Sequence, residues 1–203
     1  MFPLHSHEKR ALLTIARKSV EFVIAGGARP EISVVFENPA AVGGAFVTLH
    51  RRGRLRGCIG CVATLESLAA VVAECAVAAA TADPRFPRLK VDDLKELEIE
   101  ISVLSSPHCA TADEVQPGIH GVIISREGRR GILLPQVAAK YSWSREYFLE
   151  QTCYKAGLDA GAWKDLETRI EVFTAQVFSE ADFPSDGRGD ADAANASAYS
   201  SSQ

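Results

Sequence analysis

The sequence lacks the segments that would take a protein into or across a membrane. Its first residues, Met1 to His7, contain neither the basic nor the apolar region of a secretion signal. The longest apolar stretch, Leu68 to Ala80, is interrupted by Glu74 and is shorter than the roughly 18 uncharged residues of a membrane-spanning helix. The cysteine count of 5 is odd, which argues against a disulfide framework. We therefore expect a cytoplasmic protein with free thiols.

Positive charge in excess and the common catalytic motifs are also missing. The formal net charge is -4, so a nucleic acid is not expected as a general partner. There is no glycine-rich phosphate loop, no zinc-protease helix motif and no serine nucleophile elbow. No cofactor and no metal site are predicted. Arginines are concentrated in two turns, at 51–54 and 126–130, which could form a positive rim or simply be solvated turns.

The pattern of helices and strands predicts an α+β fold with a mixed or antiparallel sheet and flanking helices. The length of 203 residues suits one domain or two small lobes that share a core. We assign residues 1–184 to this domain. Residues 185–203 are rich in Ala, Ser, Gly and Asp and are predicted to be a disordered tail. Three helices are predicted: one capped by Ser6, one capped by Thr64 that begins at Leu65, and one capped by Ser144. Strands are predicted at 32–36, 45–50, 55–60, 97–103, 119–125, 131–134 and 169–178.

The first hairpin carries the most informative residues of the chain. If its turn is centred on Arg52-Gly53, Cys58 lies opposite Val47 and Arg56 lies opposite Leu49. On the other face, Phe46 would pair with Ile59 and His50 with Leu55. A loop that is one residue longer or shorter would exchange the two faces.

Cys58 is the candidate nucleophile or substrate anchor. Arg56 would lie on the same strand face, and a nearby guanidinium favours the reactive thiolate. Gly57 and Gly60 flank the thiol without side chains, so a ligand could approach the main chain. The alternative is a buried cysteine that packs under the following helix, with both glycines serving only a bend. Composition and spacing leave both interpretations open.

Two further segments could complete a site. Asp83 can accept hydrogen bonds from main-chain donors in the turn after the second helix and hold Arg85 for an anion, or the two residues could merely pair. His120 is the preferred general base for Cys58, with His50 and His108 as the other candidates. Cys58 and Cys61 form a C-x-x-C sequence, but in a strand their side chains point to opposite faces. A zinc site would need His108 or Cys109 as well.

Taken together, these motifs resemble the AMMECR-one domain family. The resemblance rests on Leu55–Gly60, which contains Arg-Gly-Cys-Ile-Gly, and on further segments along the chain. They are Phe46–Leu49, Asp83–Phe86, Ile101–Leu104, His120-Gly121, Leu133–Val137 and Cys153–Leu158. The residue at Cys61 departs from the family pattern, in which a non-cysteine is usual. This departure weakens a redox or metal interpretation of the C-x-x-C sequence.

The resemblance implies a larger and a smaller lobe, with the Arg-Gly-Cys-Ile-Gly segment near the cleft between them. It implies partnership with a Memo-type protein and a radical S-adenosylmethionine protein in a small modification pathway, but no settled reaction. On this view Cys58 and His120 are catalytic, and Arg56, Gly57, Gly60, Asp83 and Arg85 bind a small anionic substrate. A non-catalytic adaptor that docks onto those partners and an RNA-binding protein are the alternatives.

Overall fold

A computed structural model describes residues 4–28, 42–62 and 66–183. The predicted strand at 32–36 and the predicted tail lie outside these residues. The helices are α1 (Ser6–Ala25), α2 (Leu68–Thr81), α3 (Pro135–Tyr141) and α4 (Arg145–Lys155). The strands are β1 (Val42–Arg51), β2 (Arg54–Cys61), β3 (Leu97–Ser105), β4 (His108–Cys109), β5 (Gly121–Arg126), β6 (Arg129–Leu133), β7 (Arg169–Phe173) and β8 (Ala175–Ser179). The α+β class is confirmed, and all pairings are antiparallel.

The first sheet and its two helices form the larger lobe. The strand order is β2-β1-β3-β8, and α1 and α2 pack on one face of the sheet. Alternate residues of each central strand face these helices, as the side-chain period of two requires. The buried residues contributed by β1 and β3 are Ala45, Val47, Leu49, Leu97, Ile99, Ile101 and Val103. This face is therefore closed, and a site on the sheet must use the other face or an edge.

Both helices of the larger lobe begin one or more residues away from the predicted caps. The cap of α1 is His5, whose main-chain amide donates to the Glu8 carboxylate at 2.7 Å. The cap of α2 is Ser67, whose hydroxyl accepts a hydrogen bond from the amide of Ala70. The predicted cap Thr64 lies outside the described residues. No helix in the described parts of the chain is both long enough and apolar enough to span a membrane.

The predicted register of the first hairpin is wrong by one residue over most of its length. His50 pairs with Leu55 as expected, but Leu49 then pairs with Gly57, which leaves Arg56 as an extra residue in β2. Such a bulge inserts one residue and shifts every later pair. Cys58 consequently lies opposite Thr48 rather than Val47, and Phe46 lies opposite Gly60 rather than Ile59.

The second sheet and the helices α3 and α4 form the smaller lobe. Its strand order is β4-β7-β5-β6, and α4 packs against β5 and β6. The strand predicted at 169–178 is two strands, because β7 pairs in this sheet whereas β8 pairs with β3 in the first. The chain passes from the second sheet to the first at Thr174, whose amide donates to the Ser105 hydroxyl at 3.0 Å. The helix α3 was not predicted.

The two lobes meet through a small apolar cluster. Leu104 of β3 packs with Ile123 and Phe173 of the smaller lobe. Nearby, the side-chain amide of Gln136 donates to the Ser102 hydroxyl at 3.2 Å. The side chains of Ser102 and Leu104 point to the opposite face of the sheet from those of Ile101 and Val103, which face the helices. The second face of the first sheet is thus partly covered by the smaller lobe.

Candidate functional site

The side chain of Cys58 points away from the helices of the larger lobe. Its strand neighbours make this clear, because Gly57 and Ile59 pair with Leu49 and Val47, which face α1 and α2. Cys58 instead shares the second face with its partner Thr48, whose hydroxyl donates to the sulfur at 3.3 Å. The thiol is half-buried. It therefore does not lie beneath α2, which was the alternative considered from the sequence.

The main chain of Cys58 is held from outside the sheet by Asp83. Because β2 is an edge strand in the sheet that the described strands form, its outward amides and carbonyls have no partner among those strands. Asp83 Oδ2 accepts the Cys58 amide at 2.8 Å, and Asp83 Oδ1 accepts the Arg85 amide at 3.0 Å. The Asp83 side chain is only 1% exposed. The turn after α2 thus supplies, at Cys58, the hydrogen-bond acceptor that a neighbouring strand would otherwise provide.

Arg85 completes this arrangement on the other main-chain atom of Cys58. Its Nη2 donates to the Cys58 carbonyl at 3.1 Å and to Asp83 Oδ2 at 2.7 Å, and its Nε donates to Asp83 Oδ1 at 3.0 Å. The Arg85 guanidinium, through these bonds, lowers the pKa of Asp83 well below its usual range, and the two main-chain donors act in the same direction. Asp83 in turn raises the pKa of Arg85. Both groups are therefore charged over the whole physiological pH range.

Arg56 is held by contacts that point away from the thiol. Its Nη2 lies 3.7 Å from Asp93 Oδ2 and donates to the Arg88 carbonyl at 3.3 Å. In the described residues no hydrogen bond or ion pair joins Arg56 to Cys58. The bulge explains this difference from the sequence analysis, since Arg56 occupies the irregular position where the alternation of faces is interrupted. Its proposed contact with substrate remains a prediction.

At both glycines of the motif, other atoms of the protein occupy the space that a side chain would need. A Cβ at Gly57 would lie 2.2 Å from the Ala79 carbonyl oxygen of α2. A Cβ at Gly60 would lie 2.3 Å from the Phe46 ring and 2.5 Å from the Ala45 carbonyl oxygen. Close packing of the main chain therefore accounts for both residues. The substrate-binding role that the sequence analysis gave them remains a prediction.

The structure does not join His120 to Cys58. His120 precedes β5 and lies in a turn, where its Nδ1 accepts the Gln116 amide at 3.3 Å. Among the described residues no hydrogen bond connects the imidazole to the thiol. His50 is placed differently, because it follows Thr48 by two residues on β1 and so lies on the same sheet face as Cys58. It is half-buried there.

The C-x-x-C sequence does not form a pair, because Cys58 and Cys61 lie on opposite faces of β2. Cys61 pairs with Ala45 on the helix-facing side and packs against the core of the larger lobe. His108 and Cys109 belong to β4 in the smaller lobe. Within the described ranges no group of three or more His, Cys, Asp or Glu residues is placed to hold a metal ion.

In each of the two arginine turns, part of the positive charge is paired with neighbouring carboxylates. Arg51 and Arg52 both bind Glu96, with nitrogen-to-oxygen distances of 2.9 and 2.5 Å. Arg126 binds Asp165 and lies 3.5 Å from Glu167. Paired charges of this kind favour solvated turns over a positive rim that would attract RNA.

Three comparisons with known proteins agree on the family. A family model described as AMMECR1 matches residues 13–178. A protein of Methanothermobacter thermautotrophicus is 39% identical over 189 residues, which cover 88% of this chain and 97% of the relative. A protein of Methanosarcina mazei is 38% identical over 187 residues, covering 85% and 92%. The chain belongs to the AMMECR1 family.

A solved structure of the family supports the fold. The crystal structure of an uncharacterised Pyrococcus horikoshii protein superposes with a TM-score of 0.74 at 33% sequence identity. The match covers 83% of this chain and 89% of the other.

One group at the candidate site, Thr48, and one group between the lobes, Gln136, were not identified as functional residues from the sequence. Thr48 was quoted only as part of a matching segment, and the correct hairpin register would have placed its hydroxyl against the sulfur. Gln136 binds Ser102 across the two lobes, and its Oε1 is buried without a partner in the described residues. No sequence signal identifies this contact, because it depends on how the lobes pack.

Proposed function

We propose that this AMMECR1 protein uses Cys58 as a nucleophile or substrate anchor for a small molecule in the cleft between its lobes. The observation that carries the proposal is the Thr48–Cys58–Asp83 arrangement. A hydroxyl donates to a half-buried sulfur, and the main chain of the same residue is fixed from outside the sheet. A packing cysteine needs neither feature. A reactive group gains from both, since its position must be held to within about half an ångström.

The charge near the thiol favours an anionic group on the substrate. The side chain of Arg85 is 55% exposed, and its Nη1 makes no hydrogen bond within the described parts of the chain. This nitrogen can donate to a carboxylate or phosphate at the edge of β2 while the rest of the guanidinium stays on Asp83. Arg56 is less available, because its contacts are with Asp93 and Arg88.

A proton carrier is required if Cys58 is a nucleophile. A general base must come within about 3 Å of the proton, directly or through one water. We infer that His50, on the same face as the thiol, is better placed for this role than His120. His120 would first have to leave the Gln116 amide. The catalytic role of His120 stays a prediction, which a comparison of His50→Gln and His120→Gln will decide.

The cellular setting follows from the family resemblance. We propose that the protein acts in the cytoplasm, in a small modification pathway with a Memo-type protein and a radical S-adenosylmethionine protein. The adaptor alternative requires those partners to dock without using the thiol. Cys58→Ser keeps the size of the side chain and removes its nucleophilicity. Loss of pathway output with an intact fold and intact complex supports chemistry at Cys58, whereas unchanged output supports the adaptor.

The reactivity of the thiol can be measured within one chain, because its five cysteines differ in exposure. The native protein is treated with iodoacetamide over a range of pH, and each site is followed by peptide mass spectrometry. Buried Cys75 and Cys153 provide the slow references and exposed Cys109 the fast one. We expect Cys58 to react at least as fast as Cys109 despite its lower exposure. A rate for Cys58 as low as those of Cys75 and Cys153 would contradict the proposal.

A further inference from the structure

Cys61 has a second thiol beside it, although that thiol is not Cys58. Ala45 lies opposite Cys61 in the ladder between β1 and β2, and Cys75 Sγ of α2 lies 3.9 Å from the Ala45 carbonyl oxygen. Cys61 and Cys75 thus both lie next to Ala45, and both contribute to the apolar core of the larger lobe. Both therefore occupy the helix-facing side of the first sheet, where Cys75 is buried and Cys61 is half-buried.

The two thiols differ in the properties that matter for oxidation. Burial, followed by the neighbouring Cys61, raises the pKa of Cys75 to about 12. Cys75 therefore stays protonated and is screened from solvent. Cys61 is the more accessible of the two and lies at the end of β2, immediately before the connection to α2. An oxidant that reaches this region will meet Cys61 first.

We propose that Cys61 and Cys75 form a redox-active dithiol that closes reversibly to a disulfide, independent of chemistry at Cys58. The oxidant is a hydroperoxide, and hydrogen peroxide is the simplest example. Cys61 is oxidised by one equivalent to its sulfenic acid, and one water is released. Cys75 then attacks the sulfenic sulfur, the sulfur–sulfur bond forms, and a second water leaves. The peroxide gains the two electrons that the two thiols lose. A dithiol reductant reverses the reaction.

Closing this bond would tie the end of β2 to the middle of α2. Both elements contact the thiol motif, since Gly57 packs on Ala79 of α2 and Cys58 lies three residues before Cys61. The disulfide would therefore restrict relative movement of the strand that carries the candidate site. In this proposal the second cysteine of the C-x-x-C sequence, Cys61, forms its disulfide with Cys75 of α2 and not with Cys58.

The test is peroxide treatment of the intact chain, followed by alkylation of the remaining thiols and peptide mapping without reduction. Trypsin is unsuitable, because residues 57–85 contain no internal Lys or Arg. Cys58, Cys61 and Cys75 would therefore remain in one tryptic peptide. Cleavage after Glu66 and Glu74 separates Cys75 from Cys61. The variant Cys58→Ser is the background, so that Cys61 is the only thiol of its peptide and the result does not depend on the proposed function.

We expect one cross-linked pair of peptides that is two hydrogens lighter than the reduced pair and is recovered as free peptides after dithiothreitol. Cys61→Ser and Cys75→Ser should each abolish it, and Cys109→Ser should not. The oxidised protein should melt several degrees higher than the reduced one, as a cross-link between β2 and α2 restricts the unfolded chain. Sulfinic or sulfonic acid at Cys61 with Cys75 unmodified, a pairing of Cys61 with any other cysteine, or a cross-link between chains would overturn the proposal.

Discussion

The carboxylate of Asp83 accepts the main-chain amide of Cys58 at 2.8 Å, across the free edge of the first sheet. This contact joins two motifs that are separated by 25 residues, with α2 between them in the chain. The Asp83 carboxylate thereby supplies the acceptor that a neighbouring strand would provide, and the thiol of Cys58 lies on the sheet face away from the helices. Stability and the geometry of the candidate site depend on the same bond.

Replacing Asp83 should therefore destabilise the protein and disturb the site. Asp83→Ala leaves the amides of Cys58 and Arg85 without their acceptor, and we expect the free energy of unfolding to fall by about 3 kcal/mol. Urea denaturation measures this change. Arg85→Ala is the comparison variant: it keeps both main-chain bonds of Asp83 but removes the counter-ion of a buried carboxylate, so it should cost less than Asp83→Ala, about 2 kcal/mol. Equal losses in the two variants would mean that the Arg85 contacts, and not the main-chain bonds, dominate.

The pH dependence of stability should report the same carboxylate. The folded pKa of Asp83 is depressed, first by Arg85, so its contribution is fully present above the unfolded pKa of about 4. That contribution is lost as the pH falls below this value toward the folded pKa. Urea midpoints between about pH 6 and pH 2 should therefore fall more steeply for the native chain than for Asp83→Asn. If the urea midpoints of the two proteins fall in parallel with pH, the ionised Asp83 carboxylate is not stabilised by folding.

Gly57 should tolerate no side chain. An added methyl group at this position meets the Ala79 carbonyl oxygen at 2.2 Å, and main-chain atoms on both sides cannot move aside cheaply. We expect Gly57→Ala to lower the free energy of unfolding by roughly 2 kcal/mol. Gly161→Ala is the control, since a Cβ there has no neighbour within 4 Å, and it should change stability by less than about 0.5 kcal/mol. Thermal unfolding distinguishes the two outcomes.

Thr48 should tune the reactivity of Cys58 without affecting the fold. Thr48→Val keeps the shape of the side chain but removes the hydroxyl that donates to the sulfur at 3.3 Å. The hydroxyl stabilises negative charge on the sulfur, and the charged thiolate is the form that reacts. Losing this hydrogen bond should therefore slow alkylation of Cys58 roughly threefold. Thr48→Ser retains the donor and should alkylate at close to the native rate. If both variants react alike, the hydroxyl contact has no part in the chemistry of the thiol.

Local signals in the sequence were sufficient for most elements and for the position of the thiol motif. Alternation in Leu97–Val103 predicted β3, and Ser144 predicted the start of α4, where its hydroxyl accepts the Tyr147 amide at 3.2 Å. The final strand could not be divided correctly. Residues on both sides of Thr174 have strand character, but their assignment to different sheets depends on pairing partners that are distant in the chain.

The candidate site shows the same division between local and long-range information. Proximity in sequence suggested that Arg56 would accompany Cys58, but the bulge directs Arg56 to Asp93. The partners that the structure does place at Cys58 are Thr48, from the neighbouring strand, and Asp83 with Arg85, from the turn after α2. Of these, the Asp83-Arg85 turn was identified as a candidate from its sequence. Thr48 was not, because one inserted residue changes which side chains share a face.

The sequence by itself determined that this chain has an α+β fold, carries an AMMECR-type thiol motif in a hairpin, and has a charged turn after its second helix. These properties reside in side-chain periodicity, turn residues and caps, which act over a few positions. Only the tertiary structure decided that Cys58 lies on the sheet face away from the helices, that Cys61 and Cys75 both lie beside Ala45 on the helix-facing side, and that Asp83 binds the Cys58 amide at the sheet edge. The physical reason is that a strand presents alternate residues to opposite faces. A single bulge and the packing of α2 therefore set which chemistry each face receives.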